Sequence, residues 1–408
     1  MAKQLSIAAV RTSLAVVLLA AAFCGCSNAG RAIPAGASLG DAGAREATES
    51  CIDRVNATIA EIETCLTQSD LWQHLAHFQT IANHNKLKDG HGYRDTGTPG
   101  YLASVNYVAG LMRQSGYRVT IQQYSFTIHY PDAAAAPDAT GRRHETLLRA
   151  WFDAHPGLKH KTFVDYNVIA DSPYGDPGRV VVIEGHLDSI FGAGMLDNAS
   201  GSTTMLEVAR AMAKTRTRNH LRYIWFGGEE LGLFGSRHYT TTLSASDLRH
   251  IVFDVDVDVT ATPNFDILVA DPQYASNVKK FPPNVVPQSK VGNDDFAQFF
   301  NTGGVVSQPA VFGNDGTDSN SFSLVGVPDT GILTNQDCCK KAWEKHFWGG
   351  FAGNYEGDIP SFNGGCVDRP FRWCDNLSNN DPFVLQLASR AVAYVTFALA
   401  NDGSLRVR

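Results

Sequence analysis

The chain is predicted to be an α/β protein with a mixed, mostly parallel central sheet flanked by helices. Three observations predict it. The run Val180-Val181-Val182-Ile183 is β-branched throughout, the mark of a strand buried on both faces. Strand-like apolar runs alternate with stretches of helical periodicity through the middle of the chain. Histidine and carboxylates gather where those apolar runs end, the edge at which such sheets bind ligands.

The elements follow in order. Residues 47–85 read as helical, with Leu71, Leu75, Phe78, Ile81 and Ala82 at helical spacing. Residues 90–100 form a turn-rich loop. A helix follows, with Val105, Val108, Leu111 and Met112 on one face and Gly116 as its stop. Residues 117–128 read as a strand, 131–139 as an Ala/Pro/Asp connector and 161–170 as a second strand. The buried strand at 179–184 leads to a helix over 202–214, with Met205, Val208, Ala209 and Met212 in register. Strands are expected at 221–227, 251–259, 265–270 and 327–333. Asp381-Pro382 opens the last helix as N-cap and first-turn proline, and Val384, Leu387, Ala388, Ala391, Val392 and Val395 make its apolar stripe.

Hydrophobic residues make up 44% of the 408, enough for a large core, and charged residues only 18%. The net charge of −7 argues against a nucleic-acid partner. Lys3 and Arg11 precede an apolar run at 14–23, too short to span a bilayer and suited to a signal peptide. It is the one stretch expected to enter a membrane. Residues 1–25 are therefore read as a signal peptide, 26–47 as a Gly/Ala/Ser-rich linker and 48–408 as a single domain. The small residues before Cys26 resemble a bacterial lipobox, with lipid on Cys26; ordinary signal cleavage nearby is the alternative. With Cys24 removed and Cys26 acylated, six of the eight cysteines remain, an even number that suits disulfides in an exported chain. Cys51–Cys65 and Cys366–Cys374 are the nearest pairs. No C-x-x-C pattern marks cysteine as a metal ligand.

Four clusters carry chemistry: Gly185-His186-Leu187-Asp188, Gly194 to Gly201, Gly228-Glu229-Glu230-Leu231-Gly232, and Asp254-Val255-Asp256-Val257-Asp258. Taken singly each is an ordinary turn or surface pattern. Together they place carboxylates where apolar strands meet loops, which is costly unless the charges are paired or bind metal. One histidine with several carboxylates and no thiolate suits a catalytic, water-retaining zinc site. His186 and Asp188 lie on one side of an extended segment, so His186 can bind while Asp188 orients its neighbours. The side chains of Glu229 and Glu230 diverge, so one can bind metal while the other serves as a base.

These stretches resemble the exported di-zinc aminopeptidases, the family of bacterial leucyl aminopeptidases and aminopeptidase Y. The resemblance is carried by Gly185 to Ser189, Asp197-Asn198-Ala199-Ser200-Gly201, Trp225 to Ser236 and Ile251 to Asn264. It extends to Gly97-Thr98-Pro99-Gly100-Tyr101, Thr317-Asp318-Ser319 with Phe322, Val325 to Pro328, and Trp348-Gly349-Gly350 with Ala352-Gly353, covering residues 70–400. It implies a zinc-exopeptidase fold of the phosphorylase/hydrolase-like kind, and two zinc ions per chain. One ion would take His186, Asp197 and Asp258; the other would take Asp197, as a bridge, and Glu230. Glu229 would be the general base. The family's register selects Asp258 over Asp254 and Asp256. Residues 129–165 are too few for a protease-associated insert, which is expected to be absent.

One stretch departs from the family. The last ligand is usually a histidine in a Cys-Tyr-His-x-x-Cys loop, whereas this chain has Cys366-Val367-Asp368 to Cys374 with no histidine between the cysteines. Asp368 stands at the histidine position and can bind zinc through oxygen; His346 is a rival donor. The expected function is a zinc-dependent aminopeptidase acting on peptides, in the cell envelope, periplasm or medium, meeting a membrane only through a lipid on Cys26. The alternatives are a glutaminyl-cyclase-like enzyme, which shares the fold, and a catalytically silent binding domain.

Overall fold

The structure is a computed structural model and describes residues 50–131, 141–310, 316–336, 339–355 and 375–408. The stretch expected to be helical over 47–85 is two helices, α1 (Ile59–Cys65) and α2 (Gln68–His84). Thr58 and Thr67 explain the break. Each hydroxyl accepts the amide three residues on, Glu61 and Asp70 respectively, so each opens its own helix. A disulfide joins Cys51 to Cys65, one of the expected pairs. Cys366–Cys374 lies outside the described residues. After α3 (Pro99–Gln114), β1 (Arg118–His129) and β2 (His160–Asp171) pair antiparallel along their whole length. The 131–139 connector is outside the described residues but for Pro131, and α4 (Gly141–Asp153), which had not been expected, lies in the same crossover. Its Leu147 and Phe152 bury against Tyr124, Phe126 and Phe163 of the hairpin.

The remaining elements are β3 (Asp176–His186), α5 (Ser200–Ala211), β4 (Asn219–Phe226), α6 (Phe234–Thr242), α7 (Ala245–His250), β5 (Ile251–Val257), β6 (Leu268–Ala270), α8 (Val285–Thr302), β7 (Gln308–Ala310), α9 (Ser319–Leu324), β8 (Asp329–Leu333), α10 (Lys345–Trp348) and α11 (Pro382–Asn401). The sheet order is β1-β2-β4-β3-β5-β8-β6-β7. The central strands β4, β3, β5 and β8 run parallel, and the antiparallel pairings lie outside them. This is the predicted mixed, mostly parallel α/β sheet. Pro287 and Gly292 obscured α8 in the sequence. Gly292 is there because a Cβ would come within 2.7 Å of Thr330 and 2.8 Å of Phe253.

The strands are apolar on both faces because both are covered. Val181, Ile183, Val255, Val257 and Trp225 pack with Met205 of α5 and Leu385 and Val392 of α11. Val180, Val182, Ile224 and Phe226 pack with Tyr239 of α6 and Phe322 of α9. Helix α11 also has the length and hydropathy of a membrane span, contrary to the expectation that only the N-terminal stretch would. Its Val384, Leu385, Ala388, Val392, Val395 and Leu399 are buried in this core, which accounts for its composition.

On the second face the apolar row turns acidic toward the carboxyl ends. Val182 is followed by Glu184 and His186, and Asp254 by Asp256 and Asp258, with Glu184 opposite Asp256 in register. Alternation along the strands therefore lines these groups on one face.

At the opposite end, Asp171 joins three strands. Its carboxylate takes Arg222 Nε at 2.7 Å and His220 Nε2 at 2.9 Å from β4, and Arg118 Nη2 at 3.1 Å from β1. Burial pushes this carboxyl up, but His220 and Arg222 more than offset it and hold it well below the usual carboxylate range. A depressed folded pKa stabilises fully above the unfolded value and is lost as pH falls through the range below it. Asp171→Asn should therefore lose about 2–3 kcal/mol at neutral pH in urea unfolding. The gap to the wild type should close as pH drops below about 4.

Candidate metal centre

Parallel strands deliver their following loops to one edge. β3 and β4 end in register at His186 and Phe226, so the loop after β3 carries Asp188 and Asp197 and the turn after β4 carries Glu229 and Glu230. Asp258 follows directly on β5. His186, Asp197 and Asp258 each offer a ligand atom, all lying within 4.8 Å of one another, and all three residues are buried. His186 Nε2 is 3.0 Å from Asp197 Oδ1 and 3.4 Å from Asp258 Oδ1. The other ring nitrogen, Nδ1, lies 3.0 Å from the Asp188 carbonyl oxygen. Donation from Nδ1 leaves the Nε2 lone pair aimed at the point where the carboxylates meet.

Asp188 stands behind this group. Its carboxylate accepts the Glu229 amide at 3.3 Å and the Thr96 hydroxyl at 3.0 Å, and lies 3.5 Å from His186 Nδ1. Glu229 and Glu230 are both buried. Glu230 is not one of the three donors that converge. Glu229 acts electrostatically on His186, Asp258 and Asp318. Asp254 and Asp256 lie deeper on the same face, so register alone separates them from Asp258. His346 is exposed on α10, its ring against Phe347, and is not among the three converging donors. Asp368 lies outside the described residues.

The field at this edge is strongly negative. Burial alone would push the His186 imidazole down; Glu229, Asp188, Asp197 and Asp258 outweigh it and hold it well above its usual value. Burial also pushes Asp258 up. Burial and neighbouring carboxylates push Glu184, Asp254 and Asp256, deeper in the face, and Asp318, at the start of α9, up. A buried imidazole and two carboxylates converging in such a field fit a divalent cation, and the mixed nitrogen and oxygen donors fit zinc.

The donor loops are fixed by residues that sequence reasoning missed. Arg94 is fully buried, and its guanidinium donates to the carbonyls of Ala193 (2.7 Å), Leu187 (2.8 Å) and Gly194 (2.7 Å). Burial pushes it down to about 10, with Asp375 and Asp188 raising it. The Asp95 carboxylate accepts the amides of Phe191 and Gly192. Asp375 accepts the amides of Leu196 (2.7 Å) and Asp197 (3.1 Å). The stretch 90–100 reads as a turn-rich loop, and nothing in its composition marks a buried arginine. Asn198 was visible within its motif, and the structure supplies its purpose. Its Oδ1 accepts Gly201 N and Val259 N, and its Nδ2 donates to Val257 O, tying the metal loop to the end of β5. A Cβ on Gly201 would lie 2.3 Å from both Asn198 Oδ1 and Val257 O.

A buried donor group at the carboxyl ends of a mostly parallel α/β sheet is the setting in which such folds bind ligands. Residues 167–353, which carry it, match the family model described as Peptidase family M28, in agreement with the resemblance carried by the motifs. The chain is 30% identical over 330 residues to leupeptin-inactivating enzyme 1 of Streptomyces exfoliatus, covering 80% of this chain and 60% of that one. It is 30% identical over 251 residues to "Probable lipoprotein aminopeptidase LpqL" of Mycobacterium tuberculosis, covering 59% and 47%. The chain thus spans between about half and three fifths of the length of these relatives. Among solved structures, the aminopeptidase of Aneurinibacillus sp. strain AM-1 has a TM-score of 0.57 at 16% identity, covering 86% of this chain and 98% of that one. The glutaminyl cyclase of Porphyromonas gingivalis has a TM-score of 0.52 at 15% identity, covering 81% and 97%. Both share the fold.

If Arg94 holds the donor loop in shape, Arg94→Lys should lower zinc affinity about 10–100-fold with the far-UV spectrum retained. Competition with a chromophoric chelator measures this, and unchanged affinity would show that the loop holds its shape without the guanidinium.

Proposed function

We propose that this chain is an exported, zinc-dependent aminopeptidase that hydrolyses the N-terminal bond of peptides. The convergence of His186, Asp197 and Asp258 within 4.8 Å, beside a buried Glu229, carries the reading. His186, Asp197 and Asp258 would hold one zinc ion. Asp197 would bridge to a second, held with Glu230 and Asp368. Bound zinc supplies an acidified water and polarises the scissile carbonyl. Glu229 takes the proton of the attacking water and returns it to the leaving amine. Asp188 holds the backbone amide of Glu229 and so positions that base. A shared fold is all that favours the glutaminyl-cyclase reading. The donor set, with Asn198 and Gly201 built into its support, favours hydrolysis, and the retention of Glu229 beside it counts against a silent domain.

The lipobox-like residues before Cys26 and the lipoprotein name of one relative support a lipid anchor in the cell envelope.

Glu229→Gln should retain zinc and lower peptide turnover roughly 100-fold or more; equal loss of zinc would make it a ligand instead. In the same metal analysis, Asp368→Ala should lose about one ion per chain and His346→Ala none. Cys26→Ser should move the protein from the membrane to the soluble fraction. Unchanged fractionation would remove the anchor.

A further inference from the structure

The segment 339–355 leaves the carboxyl end of β8 and is tied down at several points. Lys340 and Gly353 exchange backbone hydrogen bonds at 2.7 and 3.0 Å. Lys340 Nζ donates to Phe265 O at 2.7 Å and faces Asp266 at 3.4 Å. The Asn264 amide donates to Phe351 O and Asn354 O, both at 2.9 Å. Trp348 is buried, and its indole donates to Val306 O at 2.8 Å.

This well-anchored loop turns three aromatics outward. Trp343 is 47%, Phe347 45% and Phe351 43% exposed, all within nine residues. The Trp343 and Phe347 rings meet edge to face at 6.1 Å. Isolated apolar surface residues are ordinary, but neighbouring aromatics on a fixed loop form a patch that asks for a partner. Among the described residues of this segment, the exposed lysines and glutamates beside them are of one sign. Lys341 and Lys345 are exposed, whereas Glu344 is buried, accepting hydrogen bonds from the Lys341 amide and Tyr355 Oη. These two lysines stand on a protein that carries −7 as a whole.

We propose that this face docks onto an anionic phospholipid surface, with Trp343, Phe347 and Phe351 entering the interface and Lys341 and Lys345 meeting headgroup phosphates. Tryptophan and phenylalanine flanked by lysine is the side-chain chemistry that settles at the lipid–water boundary. Charge complementarity selects anionic lipid over neutral lipid. The proposal rests on the export reading only in placing the protein near a bilayer, and it needs no lipid on Cys26.

The test uses the mature chain from residue 26 onward carrying Cys26→Ser, without the apolar run at 14–23, sedimented with vesicles of equal parts phosphatidylglycerol and phosphatidylcholine, or of phosphatidylcholine alone. Zinc content and hydrolysis of a soluble peptide are followed in the same preparation, so that failure of the enzyme reading shows separately. Binding is expected to the anionic vesicles and to weaken as salt screens it. Lys341→Gln with Lys345→Gln should lower it roughly 30-fold. Trp343→Ser with Phe347→Ser should abolish it, with peptide hydrolysis unchanged in both variants. No binding beyond that to phosphatidylcholine overturns the proposal, as does binding that neither variant weakens. A several-fold rise in KM for the soluble peptide with vesicle binding intact would instead make the aromatics a substrate contact and also overturn it.

Discussion

His186 meets Asp197 and Asp258 at the head of a column of buried acid. Asp188 and Glu229 stand beside them, and Glu230, Glu184, Asp254, Asp256 and Asp318 are buried as well, none more than 1% exposed. Ionised groups out of water cost several kcal/mol each unless answered by an opposite charge. The deeper carboxylates are pushed toward their protonated forms by burial and by one another. The upper tier concentrates its charge on one imidazole. A divalent cation there would relieve the repulsion, so metal binding and folding stability are coupled through the same residues.

Loops are ordinarily the mobile parts of an α/β domain, and every donor beyond His186 sits on one. The surrounding structure removes that freedom from behind. Arg94 grips three carbonyls of the loop between β3 and α5, Asn198 clips it to β5, and Asp375 caps its amides. Val259, immediately after Asp258, has a φ of 51°, strained for a β-branched residue. It is held there by its amide to Asn198 and its carbonyl to the Thr334 amide and hydroxyl. Geometry is thus set by the Asn198 amide, the buried Arg94 guanidinium and the Asp95 and Asp375 carboxylates that accept loop amides.

Legibility in the sequence followed the range of the interaction. The central strands and α11 were readable because each is a local pattern of apolar spacing. The convergence of His186, Asp197 and Asp258 was readable because register and motif place them at strand ends. What escaped depends on distant partners. Arg94 reads as a turn residue until Leu187, Ala193 and Gly194 are seen around it. Asp375 lies 178–179 residues from the amides it caps. α4 is a short amphipathic helix whose apolar side has meaning only against the β1–β2 hairpin, and α8 carries a proline and a glycine that local rules read as breakers. The break between α1 and α2 was within reach, since Thr58 and Thr67 are ordinary N-caps.

The Asp375 cap also orders events in time. A chain made from its amino terminus presents His186, Asp197 and Asp258 long before residue 375 exists. Until then the amides of Leu196 and Asp197 lack their acceptor, and the closure that supplies it spans 178–179 residues, the kind of contact that forms late. A nascent or truncated chain ending short of Asp375 therefore carries all three converging donors while the loop that bears Asp197 lacks two of its hydrogen bonds.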